Sequence, residues 1–398
     1  MPESSYPRSV ADREIQAAAR AFVDELLPQE VEAELHGGEL PAELLERQRH
    51  RVGELGFEAI NMPKELGGGG FSAFQQVLVQ EQVGRATNAL GWVIHTPASW
   101  LPQVAADEQL ERWVLPTIRG ERSECYAITE EGAGSDVDAI QATARRERDG
   151  YRLDGVKWHV TSFNHADHVF FQAKLADGPN AGAHAMFVVD LDTPGIRVVR
   201  TPAYGHTIAY HHPVVAFEDV RVPAGQLVGE EGDGMRFAYE WFRYERLMIA
   251  ARCLGAAERL IEEATSFAGQ RHAYGRPILD YQAIQFMLAD SLPELWAARL
   301  MTYRTAHGID DGLDVRCSTP CAPWPSCTPR SWPGGSPTGG AGVRRPRLHA
   351  RERGRALLPG AAGGAHLGRY FGDPADDRRR PARQAGRRPA DRIGGRTR

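Results

Sequence analysis

Two short stretches of the chain combine hydroxyl, carboxylate and glycine residues in a pattern that could bind a flat polar ligand. The first, residues 126–136, reads Tyr-Ala-Ile-Thr-Glu-Glu-Gly-Ala-Gly-Ser-Asp. Its apolar start is typical of a strand, and its two glycines allow a turn that presents backbone N–H groups and a Ser hydroxyl at close range. The second, residues 155–161, reads Gly-Val-Lys-Trp-His-Val-Thr. Because glycine-bearing turns between strands are common, these residues alone indicate only a candidate site.

Glu245 is the carboxylate of greatest chemical interest. It lies in Trp-Phe-Arg-Tyr-Glu-Arg-Leu-Met-Ile-Ala, residues 241–250, within a segment (237–260) that is apolar on nearly every side. Such a segment is expected to form a buried helix, where an unpaired carboxylate is costly. Two interpretations stay open. Glu245 takes part in a reaction, or it forms a structural ion pair with a basic group.

The residues before the first stretch show helical patterns. Ser9 to Asp12 resemble a capping box, and apolar residues then recur at helical spacing. Pro41 is placed to begin a second helix. The glycines at 67–70 lack the Lys-Ser/Thr pair of a phosphate-binding loop, so they predict a plain turn.

Short β-rich runs separated by glycine-bearing turns extend from about residue 123 to 230, and helical patterns return from Gly234. The runs predict a small antiparallel β domain, built as a barrel or a sandwich. A turn at 274–277 leads into another helix at about 278–306. The sequence therefore predicts an α+β fold with an N-terminal helical domain (1–120), a middle β domain (121–233) and a C-terminal helical domain (234–316).

The composition changes sharply near the end of the chain. The 398 residues carry a formal net charge of −5, yet residues 343–398 hold 16 Arg against five acidic residues. Residues 317–398 contain 11 Pro and 14 Gly and keep no helical or strand period, which is typical of disorder. A basic segment can bind nucleic acid. We favour a different explanation, given below, and expect no nucleic-acid partner.

Compartment and metal content can also be anticipated from the sequence. No apolar run is long enough to cross a bilayer, and the N-terminus lacks the basic and apolar regions of a signal peptide. The five cysteines show no regular disulfide framework, so a cytoplasmic protein without a membrane partner is expected. Cys317, Cys321 and Cys327 have no fourth ligand at a usual spacing, so no metal site is expected.

Taken together, the motifs resemble those of the acyl-CoA dehydrogenase family of flavoproteins. The motifs that carry the resemblance are 126–136, 155–161, Val-Ala-Phe-Glu-Asp-Val-Arg-Val-Pro at 215–223, and Arg-His-Ala-Tyr-Gly-Arg-Pro at 271–277 with Gln282. Each is weak alone, but four in family order and at family spacing are strong evidence. The resemblance covers residues 9–316 and implies a helical domain, a middle β domain and a C-terminal helical bundle.

The resemblance implies both an FAD site and a substrate site. The residues that it assigns to FAD are Tyr126, Ile128, Thr129, Gly134, Ser135, His159, Thr161, Arg271 and Gln282. Arg271 and Gln282 correspond to residues that meet the FAD of a neighbouring subunit. For the substrate, Ser135 corresponds to a residue near the thioester arm and Arg246 to a substrate-contacting arginine. The chain departs from the family at Trp158, because the tryptophan that normally covers the flavin is displaced there and His159 occupies its slot.

The implied reaction removes two hydrogens from an acyl-CoA thioester. A carboxylate takes the α-proton while the β-hydrogen leaves as hydride to the flavin. Glu245 matches the position of the base in some members, including isovaleryl-type enzymes. Implied partners are acyl-CoA, an electron-transfer flavoprotein or similar acceptor, and further copies of the chain, usually in a tetramer. The alternatives are an inactive remnant, a non-catalytic partner subunit, an acyl-CoA oxidase and a flavin monooxygenase.

The family's final helices are not recognisable after residue 316. Residues 366–377, back-translated with permitted codons and read one nucleotide forward, can spell Ile-Trp-Glu-Gly-Thr-Ser-Glu-Ile-Gln-Arg-Met-Ile, which resembles the family loop bearing the usual catalytic glutamate. Residues 343–350, read in the same way, can spell Phe-Gly-Gly-Arg-Gly-Tyr-Met-Arg, a flavin contact of the family. We hypothesise that residues 317–398 are a frameshift product and that the helical bundle is incomplete after about residue 316. The nucleotide sequence of the gene tests this hypothesis.

Overall fold

The computed structural model describes residues 6–86, 90, 93–204 and 211–313 of the chain. Within these residues a group of helices is followed by a β-sheet and then by two long helices, so the predicted α+β order of elements is confirmed. The irregular tail predicted at 317–398, the frameshift hypothesis and the break in the helical bundle near residue 316 all lie outside the described residues.

Helices around an apolar cluster form the first part of the chain. The predicted capping box is confirmed, because the Asp12 N–H donates to Ser9 Oγ at 3.1 Å and the Ser9 N–H donates to Asp12 Oδ2 at 2.9 Å. Pro41 directly precedes a helix, as predicted. The helices of this part are α1 (Val10–Leu26), α2 (Glu30–Leu35), α3 (Ala42–Glu54), α4 (Ala73–Val83), α5 (Asp107–Gln109) and α6 (Leu115–Ile118).

In the described residues, seven strands then form one sheet with the path β1-β4-β2-β3-β7-β6, and β5 pairs with the other edge of β4. These strands are β1 (Glu124–Ala127), β2 (Thr143–Glu147), β3 (Gly150–Lys157), β4 (His168–Leu175), β5 (His184–Asp190), β6 (Ile196–Arg200) and β7 (Val214–Pro223).

The sheet is mostly antiparallel, as predicted, but β1 and β2 both pair with β4 in parallel. The remaining pairs of this sheet are antiparallel. Parallel neighbours need a long crossover connection, and here the β2–β3 hairpin lies within the connection that returns the chain from β1 to β4. The crossover brings β1 alongside β4, whose residues are nearly all buried.

Strands β4 and β5 are covered on both faces. On one face Phe171 and Phe187 belong to a core formed by side chains of the sheet itself. On the other face Phe170, Met186 and Val188 pack against the helical part of the chain. Apolar residues therefore occupy consecutive positions at 169–171 of β4 and 185–189 of β5, as expected when both faces of a strand are buried.

Two long helices form the last described part. They are α7 (Gly234–Gln270) and α8 (Gln282–Asp310), joined through the short strands β8 (His272–Ala273) and β9 (Arg276–Pro277). Both helices were predicted, but the expectation that α7 is buried on nearly every side is wrong. Residues 243–246, which together cover a full turn of the helix, all keep accessible surface, and Glu245 among them faces the cleft described below.

Buried polar groups join α4, α7 and α8. The Glu81 carboxylate of α4 accepts a hydrogen bond from Arg299 Nε at 2.8 Å and another from the Tyr303 hydroxyl at 2.7 Å, both on α8. Arg299 also pairs with Glu258 of α7 at 3.2 Å. Such groups are stable when buried because each charge has a partner. Among the described helices, none is long and apolar enough to cross a membrane.

Candidate functional site

Strand β1 presents two different faces to the molecule. Its burial alternates along the strand, so that Cys125 and Ala127 are buried in the sheet core while Glu124 and Tyr126 keep accessible surface on the opposite face. This alternation follows from the two-residue period of a strand. The accessible face of β1 is turned towards α7, where Trp241 stacks on Tyr126. The partly accessible surface shared by Glu124, Tyr126, Trp241 and Glu245 is called the cleft below.

A buried ion pair fixes the turn that follows β1. Lys157 Nζ donates to Glu130 Oε1 at 2.8 Å and to the Ile128 carbonyl at 3.0 Å. Glu130 also accepts backbone hydrogen bonds from Gln141 at 2.6 Å and Ala142 at 2.9 Å. Burial lowers the pKa of Lys157 to about 8, and the Glu130 carboxylate opposes this shift. The pair ties the two ends of the glycine-bearing turn to the end of β3.

The two sequence motifs meet in space, as their assignment to one site requires. The Trp158 N–H donates to the Thr129 carbonyl at 2.7 Å. Gly155 of the second motif also packs closely on Ala142, because a Cβ at Gly155 would lie 2.5 Å from the Ala142 Cβ, which only glycine avoids. Thr129 and Thr161 both keep accessible surface next to this junction.

His159 has an unusual backbone conformation, and its imidazole ring is hydrogen-bonded within the chain. Its φ is +56°, in the left-handed region that non-glycine residues rarely adopt. Its Nδ1 and the Tyr204 hydroxyl are hydrogen-bonded to each other. Burial, followed by the nearby Arg200 guanidinium, lowers the pKa of His159, so the ring is neutral at pH 7. Trp158, the displaced tryptophan, packs against Arg200, whose Cζ lies 4.9 Å from the centre of the indole ring.

Gly134 supplies a test of whether the turn fits a cofactor. It does not have a positive φ, and a Cβ added to it would have no heavy atom within 4 Å. Neither backbone conformation nor crowding within the described chain therefore requires glycine at this position. A residue without a side chain is expected where a ligand approaches the backbone closely, so the turn fits the planar cofactor implied by the sequence.

Helix α7 contributes an aromatic ring and a carboxylate to the cleft. The Trp241 ring stacks on Tyr126 with centroids 4.2 Å apart and an angle of 5° between the planes. Glu245 lies four residues after Trp241, one turn along the same face of the helix. Burial raises the pKa of Glu245, while Arg252 partly opposes the shift. Among the described residues Glu245 forms no hydrogen bond or ion pair, and Arg252 is the basic group whose charge acts on it.

A second cleft carboxylate, Glu124, was missed by the sequence analysis. Its Oε1 accepts a hydrogen bond from the Ala98 N–H at 2.9 Å and another from the Tyr126 hydroxyl at 3.3 Å. Burial raises the pKa of Glu124 to about 8, and the negative charge of Glu245 adds to the shift. The signal in the sequence was a charged residue two positions before Tyr126, on the same face of a short strand.

Arg271 and Gln282 lie far from this cleft. Arg271 directly follows α7, and Gln282 is the first residue of α8. Both residues are exposed. From Glu245 to Arg271 is 26 residues, which corresponds to about 39 Å along a helix. The cleft of one protomer therefore does not include these two residues. Arg246 neighbours Glu245 and is partly accessible, and it makes interactions of its own.

Comparison with protein-family models matches all three parts of the chain. Residues 9–121 match the model "Acyl-CoA dehydrogenase, N-terminal domain", residues 125–220 match "Acyl-CoA dehydrogenase, middle domain", and residues 232–322 match "Acyl-CoA dehydrogenase, C-terminal domain". The matched ranges follow the order of the helical, β and helical elements described above.

Similar proteins include reductases as well as dehydrogenases. The chain is 32% identical to a 3-(aryl)acrylate reductase of Clostridium sporogenes over 75% of this chain and 79% of that protein. It is 30% identical to the caffeyl-CoA reductase–Etf complex subunit CarC of Acetobacterium woodii over 76% and 80%, respectively. Among solved structures, butyryl-CoA dehydrogenase from Megasphaera elsdenii superposes with a TM-score of 0.71 at 25% identity, covering 80% of this chain and 84% of that one.

Proposed function

This chain belongs to the acyl-CoA dehydrogenase family of oxidoreductases acting on CH–CH bonds, and we propose that it catalyses FAD-dependent α,β-dehydrogenation of an acyl-CoA thioester with Glu245 as the base. One observation carries the proposal. Glu245 lies without an ion pair in the described chain, one helical turn from the Trp241 ring that stacks on Tyr126 of the signature strand.

The turn after β1 and the end of β3 are proposed to hold FAD. Members of the family are FAD flavoproteins, and FAD, when bound, supplies the acceptor for the substrate's β-hydride. The residues that would contact it are Tyr126, Ile128, Thr129, Gly134, Ser135, His159 and Thr161. The ion pair between Glu130 and Lys157 fixes the turn before any ligand binds, so little ordering is required on binding.

Glu245 is proposed to remove the α-proton of the thioester. A carboxylate that has lost part of its hydration is a stronger base than one in water, and burial raises the pKa of Glu245 in this direction. Because the base must be ionised, activity is expected to rise with pH through the pKa of Glu245. Ser135 and Arg246 are proposed to orient the thioester arm, and the Tyr126–Trp241 pair forms an apolar wall beside the reacting carbons.

Assembly and electron transfer are proposed from separate observations. Arg271 and Gln282, remote from the cleft of their own protomer, are proposed to reach the FAD of a second copy in a homotetramer. Exposed apolar side chains on α8, among them Phe286, Trp296 and Met301, support association. Because the similar CarC protein is a subunit of an Etf complex, an electron-transfer flavoprotein is proposed as the acceptor of the electrons.

The decisive experiment measures flavin reduction by acyl-CoA under anaerobic conditions. The Glu245→Gln variant is expected to bind FAD like the unmodified protein but to reduce it about 10²- to 10⁴-fold more slowly, the usual contribution of a general base. Glu240→Gln, on the same helix, is the matched control and should reduce flavin at the unmodified rate. A Glu245→Gln variant as fast as the control would place the base elsewhere. Failure of the unmodified protein to take up FAD would overturn the proposed function itself.

A further inference from the structure

Glu124 lies at the end of the cleft that is remote from the proposed flavin turn. It begins β1, and Thr129 of the turn comes five residues later, a span of about 16 Å for extended chain. Tyr126, stacked on Trp241, lies between these two ends. A substrate that passes Glu245 and extends away from the turn therefore approaches Glu124 with the part of its acyl group farthest from the thioester.

The surroundings of Glu124 hold its carboxyl group in one position. The Ala98 N–H that binds Oε1 belongs to a segment anchored by Trp100, whose ring stacks on Phe237 of α7 at 4.6 Å and meets Phe170 of β4 edge-on at 5.6 Å. The same segment is tied to the helical part of the chain through Asn61, whose side-chain amide donates to the Pro97 carbonyl at 2.5 Å. The carboxyl group is therefore positioned before any substrate binds.

Within the described part of the chain, only one of the two Glu124 oxygens accepts a hydrogen bond. Both hydrogen bonds go to Oε1, and among the described residues Oε2 has no hydrogen-bond partner and Glu124 forms no ion pair. Because Oε2 keeps accessible surface, burying it beneath a ligand that offers no hydrogen bond would be costly. An alkyl chain filling the cleft would displace water from Oε2 and offer nothing in return. An acyl group with a polar substituent at that point would satisfy it.

The protonation of Glu124 decides which polar group fits best. Its pKa of about 8 means that the group is largely neutral at pH 7 and ionised at higher pH. A hydroxyl group can accept a hydrogen bond from the neutral carboxyl and donate one to the ionised form. An ammonium group only donates, and a second carboxylate would add to the repulsion already exerted by Glu245.

We propose that Glu124 determines substrate choice by hydrogen bonding, through Oε2, to a hydroxyl group on the acyl portion of the thioester bound between β1 and α7. The proposal rests on the proposed function and identifies the class of substrate, hydroxylated acyl-CoA thioesters. A site built to bind a hydroxyl discriminates strongly against the analogue that lacks it, because its own polar group is then left without a partner.

The test uses FAD-loaded protein and a series of ω-hydroxyacyl-CoA thioesters of increasing length. Each is paired with the alkyl thioester in which a methyl group replaces the hydroxyl, and kcat/KM is measured for both. At one chain length the unmodified protein is expected to prefer the hydroxylated thioester by about 10- to 100-fold. Glu124→Leu should reverse the preference, whereas Glu124→Gln, which keeps hydrogen-bonding capacity, should retain most of it.

Matched variants separate this role from a general effect on folding. Glu124→Met, closer in shape to glutamate, replaces the leucine variant if that protein fails to bind FAD. Glu121→Gln, an exposed surface residue paired with Arg119, should leave the preference unchanged. An unmodified protein that prefers the alkyl thioester at every length, or an apolar variant that keeps the original ratio, overturns the inference. If neither series reduces the flavin, the proposed function fails and the inference fails with it.

Discussion

Two carboxylates flank β1, and their surroundings differ in a way that separates a structural role from a ligand-binding one. Glu130, after the strand, receives hydrogen bonds from Lys157 Nζ and from the Gln141 and Ala142 backbone, so both its oxygens have partners. Glu124, at the start of the strand, receives two hydrogen bonds on a single oxygen. Hydrogen bonding of both carboxylate oxygens, rather than burial alone, therefore distinguishes the carboxylates that stabilise the fold.

Two other acidic residues, Glu81 and Glu245, differ in the same way in how many of their oxygens have partners. Glu81 resembles Glu130, because its two oxygens accept from Arg299 and Tyr303 and join α4 to α8. Glu245 resembles Glu124, since it faces the same cleft and has no ion pair among the described residues. Glu124 and Glu245 thus both keep acceptor capacity between β1 and α7, where the proposed reaction takes place.

Removing the basic partner of Glu130 should have the largest effect on stability. Lys157→Met leaves an uncompensated buried carboxylate, and we expect the free energy of unfolding to fall by about 3–5 kcal/mol. Urea unfolding followed by circular dichroism measures this change. The double variant Glu130→Gln/Lys157→Met removes both charges and should recover much of the loss. Equal stability of the single and double variants would show that the charge of Glu130 is not what Lys157 compensates.

A side chain at Gly134 should impair cofactor binding without affecting the fold. Gly134→Val places atoms in space that the described chain leaves open. FAD affinity is expected to fall by about 10- to 100-fold, from the ~1–3 kcal/mol cost of overpacking. Titration of the apoprotein with FAD measures it, and thermal unfolding of the apoprotein should be unchanged. Gly132→Val, also in open space in the same turn, is the control. Equal loss in both variants would argue against a specific contact at Gly134.

Glu124→Gln should change stability in the opposite direction from Lys157→Met. The pKa of Glu124 is raised from 4.5 to about 8 in the folded protein, so the folded state retains a proton that the unfolded chain has lost. The contribution of Glu124 to the stability of the unmodified protein is then greatest below pH 4.5 and falls as pH rises to about 8. Relative to it, Glu124→Gln is expected to gain about 1 kcal/mol or more by pH 8. Thermal unfolding at several pH values measures the difference, and parallel profiles for the two proteins would contradict the prediction.

The smallest effect is expected from Tyr126→Phe, which removes one donor to Glu124 Oε1 and retains the aromatic ring against Trp241. The loss of one hydrogen bond corresponds to about 0.5–1.5 kcal/mol. Because the Tyr126 hydroxyl lowers the pKa of Glu124, its removal should raise that pKa and move the pH-dependent loss of stability to higher pH. An unchanged midpoint would indicate that the 3.3 Å contact contributes nothing in solution.

Local patterns in the sequence predicted much of the fold and part of the candidate site. The capping box at Ser9 and Asp12, the helix after Pro41 and the order of helices and strands each depend on residues close together in the chain. The Trp158 N–H binds the Thr129 carbonyl, so the two motifs meet, as their assignment to one FAD site requires. The assignments of individual residues to FAD and substrate stay predictions that the variants above examine.

The sequence by itself determined which residues form helices, strands and glycine-bearing turns, because those preferences arise from spacing within a few residues. Only the tertiary structure decided that β1 pairs with β4 in parallel, that Lys157 compensates Glu130, and that Glu124 and Glu245 face one cleft. Glu124 and Glu245 are separated by 121 positions in the chain. A buried carboxylate is hydrogen-bonded only if tertiary packing places a donor from a distant segment next to it. Residue spacing along the chain does not predict that contact.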